Sequence, residues 1–355
     1  MKRILIVKLS SIGDAVHALP VLRTLRHNLP DAYIVWIVEE KAREVLEGNE
    51  DIDRVITINT RKWRKSLKGS VFRELLEVIK ILRRERFDIA IDIQGLFKSG
   101  IISYISGAKT IIGFDSKNCR EYLNTLFTNI KVSPEDKDIH VVDKNLSLLK
   151  PLGLKEIKRE FHIKTSPGDT EYINEFLSQH NPNRKPLIAI NPSAGWRTKE
   201  WGMKNYARLA DRIISEMGVD VIFTWGPGEE TMIKDITASM SHTPLTAPPT
   251  SIKQLVTLLK RCSLFIGGDT GPLHLAAAIK TQTIAIYGPS DPLRNGPYGD
   301  NHITIYKKLD CSGCYKRRCD TIKCMEMISV EDVFSAVNRQ LSIVNRQFKR
   351  EDLCQ

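Results

Sequence analysis

The sequence contains no uninterrupted apolar run of about 20 residues, the length that a transmembrane helix needs. Its N-terminal segment, MKRILIVKLSSIGD, has the positive charge of a signal peptide, but the apolar part is short and is broken by Lys8 and Asp14. Seven cysteines, three of them scattered, do not indicate a secreted disulfide scaffold. Internal repeats and low-complexity tracts are also missing. We therefore expect a globular cytosolic protein without a transmembrane helix.

Acidic residues are fewer than basic residues. Lys and Arg total 53 whereas Asp and Glu total 42, which leaves a net charge of +11. This excess suits an anionic partner, such as a phosphate ligand, a nucleic acid or an acidic membrane surface. Helix-turn-helix, RNP and zinc-finger signatures are absent and the basic residues are spread along the chain, which argues against a nucleic-acid-binding protein.

The length of 355 residues is too great for one ordinary core, so two domains are expected. Apolar β-like runs alternate with helical patterns, and the pattern restarts after a looser region near residues 164–185. This alternation predicts an α/β fold with doubly wound parallel sheets, whose ligands bind beyond the carboxyl ends of the strands. The expected divisions are residues 1–164, residues 165–328, and a C-terminal helix and tail at 329–355. The expected strands are RILIVKL, YIVWIV, RVITI, DIAIDI and TIIGF, then LIAIN, DVIFTW, SLFIGG and QTIAIYG.

The strongest local signal is FIGGDTGPLHLAAA, residues 265–278. An apolar strand ends at two glycines, and Pro272 then suits the first turn of a helix. Backbone N–H groups at this helix start would converge on one point, which predicts a site for a phosphate or pyrophosphate. The alternative is a helix that is simply capped by Asp269 or Thr270. His274 is either a donor to the ligand or a core histidine.

Two other loops that follow strands contain residues suited to bind a pyrophosphate or a ribose. NPSAGWRTKEW, residues 191–201, combines small residues with Arg197 and Lys199, and a leaving pyrophosphate needs such positive charge. The alternative is a solvated basic loop. In FTWGPGEE, a carboxylate of Glu229 or Glu230 is suited to accept hydrogen bonds from ribose hydroxyls. The alternative is that both only interact with a helix dipole.

The N-terminal half places a carboxylate where a strand turns into a helix. In LSSIGDAVHALP, Asp14 lies at the mouth of the helix, either as a cap or as a reagent. Basic residues occur in RKWRKSLK (61–68), in DIQGLFKSG (92–100), and at Arg120 and His140. Clustered cations would recognise an acidic acceptor, although each one alone also fits a solvated face.

Four cysteines fall within fourteen residues, in the spacing C-x2-C-x4-C-x4-C. Four thiols are able to bind a structural zinc ion, but this spacing is not a usual zinc pattern. Free thiols and a redox-dependent disulfide are the alternatives. The residues concerned are Cys311, Cys314, Cys319 and Cys324.

Taken together, VKLSSIGDAVHALP, WRK, DIQGLFKSG, TKEW, WGPGEE and GGDTGPLHLAAA resemble the ADP-heptose:lipopolysaccharide heptosyltransferase family (glycosyltransferase family 9, GT-B fold). The resemblance spans essentially the whole chain, and RKWRKS with DIQGLFKSG is most similar to the heptosyltransferase I branch. It implies two Rossmann-like domains that face a central cleft, the first for the acceptor and the second for the nucleotide sugar. It also implies that the C-terminal helix packs back on the first domain.

The resemblance implies an inverting transfer of L-glycero-D-manno-heptose from ADP-heptose to the Kdo residue of Kdo2-lipid A, in lipopolysaccharide inner-core synthesis. No cofactor or metal is required. The acceptor implies peripheral contact with the cytoplasmic face of the inner membrane. The alternatives are a heptosyltransferase II-like or III-like acceptor and a different sugar nucleotide, because fold does not determine substrate.

By position, the resemblance makes Asp14 the general base and Lys199 the lysine that faces the pyrophosphate. Ala194 lacks the hydroxyl found in a well-known branch, which removes one donor contact. The other implied donor residues are Ser193, Glu229 or Glu230, Asp269, Thr270, Gly271 and His274. The implied acceptor residues are Ser10, Ser11, Arg61, Arg64, Lys65, Gln94, Lys98, Arg120 and His140.

Overall fold

The computed structural model of the chain describes residues 1–65, 69–135 and 139–351, without the side chains at 61, 64, 65, 69, 70, 72 and 342–351. The chain divides into two compact units, Met1–Lys164 and Thr165–Gln355. Each unit contains one six-stranded sheet. Within the described ranges, no helix is both long enough and apolar enough to cross a bilayer.

The first unit is built on a fully parallel sheet in the order β3-β2-β1-β4-β5-β6. Its strands are β1 Arg3–Val7, β2 Tyr33–Glu39, β3 Arg54–Ile58, β4 Ile89–Asp92, β5 Thr110–Phe114 and β6 Ile130–Val132. Its α-helices are α1 Ile12–Val16, α2 Leu19–Asn28, α3 Arg43–Leu46, α4 Thr60–Lys65, α5 Gly69–Arg84, α6 Phe97–Ile105 and α7 Val141–Ser147. Short 3-10 helices cover Glu40–Ala42, Tyr122–Leu126 and Lys150–Leu152.

The second unit repeats the plan with a parallel sheet in the order β12-β11-β10-β7-β8-β9. Its strands are β7 Leu187–Asn191, β8 Asp220–Phe223, β9 Leu245–Thr246, β10 Leu264–Gly268, β11 Thr283–Tyr287 and β12 His302–Tyr306. Its α-helices are α8 Pro167–His180, α9 Met203–Met217, α10 Glu230–Ala238, α11 Ile252–Arg261, α12 Gly271–Ala278, α13 Pro292–Asn295, α14 Lys323–Glu326 and α15 Val330–Glu351. A 3-10 helix covers Arg197–Lys199.

Both sheets have the strand order of a doubly wound dinucleotide-binding fold, as expected from the alternation of strands and helices. The central strands are buried on both faces because helices cover the sheet on either side. Strand order reverses between β1 and β4 in the first unit and between β7 and β10 in the second. Ligands of such sheets bind at this reversal, beyond the carboxyl ends of the strands.

Three strands were not predicted from the sequence. β6 and β9 are edge strands of three and two residues, too short to show an apolar pattern. β12 is the opposite edge of the second sheet, and all five of its residues are only partly buried. An edge strand has less apolar surface to bury, so its sequence signal is weaker.

Helix α15 packs within the second unit over the residues whose side chains are described. It contacts α9, β11 and β12, and it buries Val333, Phe334 and Val337 in that unit's core. The guanidinium of Arg212 in α9 lies 3.9 Å from the ring centroid of Phe334. The expected packing of this helix on the first domain stays a prediction.

We expect Phe334→Ala to lower the free energy of unfolding by about 3–5 kcal/mol, because it leaves a cavity at a side chain that is 4% exposed. Urea denaturation measures the change. Ser335→Ala is the matched control on the exposed face of α15 and is expected to change the stability by less than about 0.5 kcal/mol. Equal effects of the two variants would contradict the packing of α15 described for this unit.

Candidate active site

The first candidate site lies in the loop between β1 and α1. Lys8 follows the last residue of β1, and Ser11 is the N-cap of α1, which places Asp14 in the first helical turn. The backbone N–H of Ser11 donates to Oδ2 of Asp14 at 2.8 Å. Asp14 therefore stabilises the helix N-terminus from inside the first turn, while the N-cap position itself belongs to Ser11.

The other carboxylate oxygen of Asp14 faces two cations. Nζ of Lys8 lies 3.3 Å from Oδ1, and a guanidinium nitrogen of Arg120 lies 3.2 Å from the same atom. The side chain of Asp14 is 18% exposed, whereas that of Lys8 is 4% exposed. Helix stabilisation and charge pairing thus use different oxygens of one carboxylate, and the Asp14 side chain is not completely buried.

Burial and pairing act on the pKa of Asp14 in opposite directions. Burial raises the pKa, but the positive charges of Lys8 and Arg120 and the Ser11 hydrogen bond outweigh it and hold the pKa well below its usual value. Burial also lowers the pKa of Lys8, and the negative charge of Asp14 opposes that shift. The Asp14 carboxylate is therefore ionised at neutral pH and is able to accept a hydrogen bond or a proton from a ligand.

Gln94 holds the same loop in place from the end of β4. Its Oε1 accepts hydrogen bonds from the N–H groups of Leu9 at 3.0 Å and Ser10 at 3.3 Å. Gln94 is buried, and its Nε2 has no hydrogen-bond partner among the residues that the structure describes. The observed contacts of Gln94, which was expected to bind the acceptor, are therefore those of a residue that positions the loop ahead of Asp14.

Asp92 has a role that its sequence position did not reveal. This fully buried carboxylate accepts hydrogen bonds from the N–H groups of Gln94 and Gly95 at 3.0 and 3.1 Å, and from Nδ2 of Asn124 at 2.6 Å. Burial raises the pKa of Asp92, although these hydrogen bonds oppose the shift. Asp92 therefore ties the turn after β4 to a distant segment of the chain. In the sequence, the only sign of this role is that Asp92 is a carboxylate at the end of an apolar strand.

Gly95 brings that segment close to Asp14. Its φ of +65° is in the left-handed region, and a Cβ at this position would lie 3.3 Å from the backbone nitrogen of Arg120. The Gly95 carbonyl accepts hydrogen bonds from the N–H groups of Arg120 and Glu121, both at 3.0 Å. The turn after β4 thereby fixes the segment that carries Arg120 to Asp14, and only glycine fits there.

Two further candidate acceptor residues, Lys98 and His140, make contacts with residues other than Asp14. Nζ of Lys98 donates to Oγ1 of Thr60 at 3.1 Å and lies 3.4 Å from Oε1 of Glu39. His140 is the N-cap of α7, where its Nδ1 accepts a hydrogen bond from the N–H of Val142 at 3.2 Å. Three further candidates have side chains outside the described residues, namely Arg61, Arg64 and Lys65.

The second candidate site lies where β10 ends in the second unit. Lys199 forms an ion pair with Oδ2 of Asp269, and its Nζ lies 3.3 Å from the Asp269 carbonyl oxygen. Nε2 of His274 lies 3.2 Å from Oδ1 of Asp269. Burial raises the pKa of Asp269, but His274 and Lys199 outweigh it and hold the pKa far below its usual value. The structure thus brings together three of the predicted donor residues.

Helix α12 starts beside this cluster without a side-chain cap. The hydroxyl of Thr270, the N-cap residue, donates to the carbonyl of Gly268 at 3.3 Å, so it caps no N–H of the helix. The Asp269 carboxylate is held by Lys199 and His274. The N-terminus of this eight-residue helix therefore keeps its backbone N–H groups for an anion. Neither Asp269 nor Thr270 therefore caps this helix with its side chain, and phosphate binding at its N-terminus stays a prediction.

Asn295 and two tyrosines complete the cluster, and sequence reasoning missed all three. Nδ2 of Asn295 donates to Oδ1 of Asp269 at 2.9 Å. The hydroxyl of Tyr287 donates to the Asn295 carbonyl at 2.6 Å, and the hydroxyl of Tyr315 donates to Oδ1 of Asn295 at 3.2 Å. These side chains come from separate elements and no local motif marks them. Together they fix the orientation of the Asp269 carboxylate.

The loop after β7 contributes aromatic and polar contacts. Nζ of Lys199 lies 4.0 Å from the ring centroid of Trp196, a cation–π distance. Trp201 is buried, and its Nε1 donates to the carbonyl of Ile328 at 2.7 Å, so Trp201 has a packing role. Ser193 donates to Oδ1 of Asn191 at 2.9 Å. The loop therefore holds Lys199 against an aromatic face and beside Asp269.

The two candidate ribose carboxylates are in different environments. Glu229 is the N-cap residue of α10, and its Oε2 accepts a hydrogen bond from the N–H of Gly226 at 2.7 Å. Glu230 is 58% exposed and pairs with Lys234 one turn along the helix at 3.0 Å. Glu229 therefore helps to shape the loop after β8, whereas Glu230 lies on the helix surface. Contact of either one with ribose stays a prediction.

The cysteine segment is joined to the Lys199 loop. Oγ1 of Thr198 donates to the carbonyl of Lys316 at 2.7 Å, and the guanidinium of Arg317 lies 5.1 Å from the ring centroid of Trp196. The four cysteines of this segment are free thiols and form no disulfide bond. Among the described residues, no three His, Cys, Asp or Glu side chains lie close enough together to hold a metal ion. The described structure thus does not assemble the four-cysteine zinc site that the sequence left open as one alternative for Cys311, Cys314, Cys319 and Cys324.

Comparison with known proteins identifies the family. The sequence profile of glycosyltransferase family 9 (heptosyltransferase) matches residues 75–325. The chain belongs to glycosyltransferase family 9. This family 9 glycosyltransferase is 28% identical over 318 residues to lipopolysaccharide heptosyltransferase 1 of Pseudomonas aeruginosa, across 89% of this chain and 87% of that protein. The predicted family and its likeness to heptosyltransferase I are confirmed.

Solved structures share the fold of this glycosyltransferase. The glycosyl transferase family 9 structure from Veillonella parvula superposes with a TM-score of 0.82 at 24% identity, over 96% of this chain and 97% of that one. Escherichia coli heptosyltransferase WaaC with ADP superposes with a TM-score of 0.76 at 24% identity, over 95% of this chain and 99% of that one. The predicted GT-B class, with two Rossmann-like doubly wound domains, is confirmed.

We expect Lys199→Met to lower the free energy of unfolding by about 3 kcal/mol at pH 7, because it removes the lysine that pairs with the buried Asp269 carboxylate. The folded-state pKa of Asp269 is depressed, so its contribution to stability is present above the unfolded pKa of about 3.9 and is lost as the pH falls. The difference between the variant and the wild type is therefore expected to shrink below about pH 4.

Urea denaturation at pH 7 and at about pH 2.5 tests this expectation, because the difference is expected to shrink only below about pH 4. Lys185→Met is the matched control, because Lys185 is half exposed and lies 3.8 Å from Asp220 in a surface pair. Its expected effect is within about 0.5 kcal/mol at either pH. A Lys199→Met effect that is as small as the control, or that does not change with pH, would contradict the buried ion pair.

Proposed function

We propose that this glycosyltransferase transfers L-glycero-D-manno-heptose from ADP-heptose to the Kdo residue of Kdo2-lipid A, with inversion at the anomeric carbon. The proposal rests on the family, on the similarity to lipopolysaccharide heptosyltransferase 1, and on the chemistry of the two sites. The observation that carries it is the uncapped N-terminus of α12 beside Lys199, which suits the diphosphate of a nucleotide sugar.

In the proposed reaction, the α12 N-terminus and Lys199 hold the diphosphate of the donor. Negative charge grows on this group as the bond to the sugar breaks, so backbone N–H groups and an ammonium stabilise the transition state more than the ground state. The Asp269 carboxylate holds the Lys199 side chain in position until the donor binds. Thr270, Gly271 and His274 are the proposed neighbours of the phosphates, and the reaction needs no cofactor.

Asp14 is the proposed general base. A single displacement with inversion requires a base that takes the proton of the acceptor hydroxyl, and the transition state is expected to resemble an oxocarbenium ion, by analogy with glycoside hydrolysis. Asp14 is ionised, and its partly buried side chain lies beyond the carboxyl end of β1. The hydroxyl loses its proton late in such a reaction, so a weakly basic carboxylate is sufficient.

An acidic acceptor strengthens this base. Kdo carries a carboxylate, which is suited to bind the exposed guanidinium of Arg120. When the acceptor anion occupies Arg120, Asp14 loses one of its two cationic partners, and its pKa rises. Acceptor binding thus converts a charge-paired carboxylate into a better proton acceptor. Because the acceptor is a membrane lipid, we place the enzyme peripherally on the cytoplasmic face of the inner membrane.

Incubation with ADP-heptose and Kdo2-lipid A tests the proposal, with mass spectrometry to detect acceptor that has gained one heptose. Parallel reactions contain UDP-sugars and GDP-sugars, and a further reaction contains an acceptor that already carries heptose. Product from ADP-heptose and Kdo2-lipid A alone is the expected result. Product only with another sugar nucleotide, or only with the heptosylated acceptor, would favour the related transferases that form the alternative.

We expect Asp14→Asn to lower kcat about 10²–10⁴-fold, because the amide cannot accept the proton of the acceptor hydroxyl. ADP binding, measured by calorimetry, is expected to stay unchanged because the donor site lies in the other unit. Asp31→Asn, at an exposed loop position of the first unit, is the control and should retain wild-type turnover. Near-normal turnover of Asp14→Asn would refute the assignment of the base.

A further inference from the structure

Exposed apolar side chains are concentrated in one part of the first unit. Among the described residues, five of the twelve exposed large apolar side chains fall between residues 97 and 126. They include Tyr104, Tyr122 and Leu126, which are 62%, 69% and 74% exposed. We call this set the apolar patch, and its members are Phe97, Tyr104, Tyr122, Leu123 and Leu126. Isolated exposed apolar residues are common, but a concentration of them marks an interaction surface.

The apolar patch is carried by two elements that pack against each other. Helix α6 carries Phe97 and Tyr104, and it packs against the 3-10 helix Tyr122–Leu126. The ring of Phe127 joins the two, since its centroid lies 5.5 Å from that of Phe97 and 6.0 Å from that of Tyr104. Leu126 and Phe127 also line an open groove of about 360 Å³ with Tyr104.

The backbone under the apolar patch is fixed from inside the unit. Asn124, fully buried within the 3-10 helix, donates from Nδ2 to the Asp92 carboxylate at 2.6 Å and to the Leu96 carbonyl at 2.9 Å. A Cβ on Gly100 would lie 2.7 Å from the Phe127 ring, so glycine permits the close approach of α6. The exposed side chains are therefore presented on a rigid support and are not parts of a loose loop.

Positive charge surrounds the apolar patch. Residues 97–131 contain five basic and two acidic residues. Arg83 lines the same groove as Tyr104 and Leu126, and Lys98 lies on α6 next to Phe97. One of the two acidic side chains, Glu121, already accepts a hydrogen bond from the N–H of Phe97 at 2.6 Å. Three of the basic residues pair with acidic residues outside this stretch, namely Lys98 with Glu39, Lys109 with Asp88 and Arg120 with Asp14. Each of these basic side chains is more exposed than its partner, so basic groups remain available to an anionic surface.

The apolar patch is also continuous with the candidate acceptor site. Arg120, which pairs with Asp14, comes two residues before Tyr122. Asp92 binds both the turn that fixes Arg120 and the Asn124 side chain under the patch. A surface that docks at the patch is therefore held next to Asp14 and Arg120.

We propose that the apolar patch docks the enzyme on the surface of an anionic phospholipid bilayer. The inference rests on the proposed function in one respect, since that function supplies a membrane lipid as acceptor. Tyrosine rings suit the boundary between headgroups and acyl chains, because each has an apolar body and a polar hydroxyl. The nearby Lys and Arg side chains attract the acidic headgroups. A second copy of this chain is a poor occupant, because both copies carry +11.

Vesicle co-sedimentation tests the docking surface without donor or acceptor, so its outcome does not depend on the proposed reaction. The protein is mixed with vesicles of phosphatidylcholine alone or of phosphatidylcholine with phosphatidylglycerol. We expect binding to the anionic vesicles that weakens with salt. The double variant Tyr122→Ser/Leu126→Ser is expected to bind about tenfold to a hundredfold more weakly, because two apolar side chains no longer leave water.

Met327→Ser is the matched control, since Met327 is an exposed apolar residue in the other unit, and its vesicle binding should equal that of the wild type. Equal binding of the double variant and the wild type would overturn the proposal. If the wild type binds vesicles only when they contain Kdo2-lipid A, the patch contacts the acyl chains of the acceptor. That outcome would also overturn the proposal. Self-association that the double variant abolishes, without vesicle binding, would assign the patch to a second copy.

Turnover separates this inference from the proposed function. With an acceptor freed of its acyl chains, the double variant is expected to keep wild-type activity, because neither substituted side chain contacts Asp14 or Arg120 in the structure. With acceptor embedded in anionic vesicles, its activity is expected to fall in proportion to its binding. An equal loss of activity with both acceptors would overturn the docking role and assign the patch to the acceptor site itself.

Discussion

The reversal of strand order at the centre of each sheet is the constraint on which the rest of the structure depends. It leaves the carboxyl ends of β1 and β4 side by side in the first unit, and those of β7 and β10 side by side in the second. The loops that leave these four strands carry Asp14, Gln94, Lys199 and Asp269. Two sites of different chemistry thus arise from one topology, because different residues follow the corresponding strands.

Each site pairs a buried lysine with an aspartate, and this arrangement has an energetic cost. Removing Lys8 and Lys199 from water is unfavourable, and the facing carboxylates Asp14 and Asp269 compensate for it. An anionic ligand is able to take over that compensation, so the sites are ready for anions before any ligand arrives. Under the function proposed here for this family 9 glycosyltransferase, the Lys199 site binds the leaving diphosphate. The Asp14 site binds the acidic acceptor.

The sequence predicted those parts of the molecule that depend on local pattern. Long buried strands, the glycine-rich start of α12 and the lysine after β7 are all visible in short windows. Partners that tertiary folding brings together were not predictable. Lys8 looked only like an interruption of an apolar run, yet it faces Asp14, and Asn295 reaches Asp269 from 26 residues away in the chain. β9 was missed because two residues cannot display a period.

The site around Lys199 and Asp269 depends on residues from late in the chain. The hydrogen bond from Thr198 to Lys316 joins residues 118 positions apart. Asn295 and Tyr315, which support Asp269, also come late in the sequence. The first unit is a separate and earlier stretch of the chain that ends at Lys164. Domains generally fold as units during synthesis, the N-terminal one first. The first unit is therefore expected to fold while the Lys199 loop still lacks these contacts, so the site proposed for the nucleotide sugar is expected to form last.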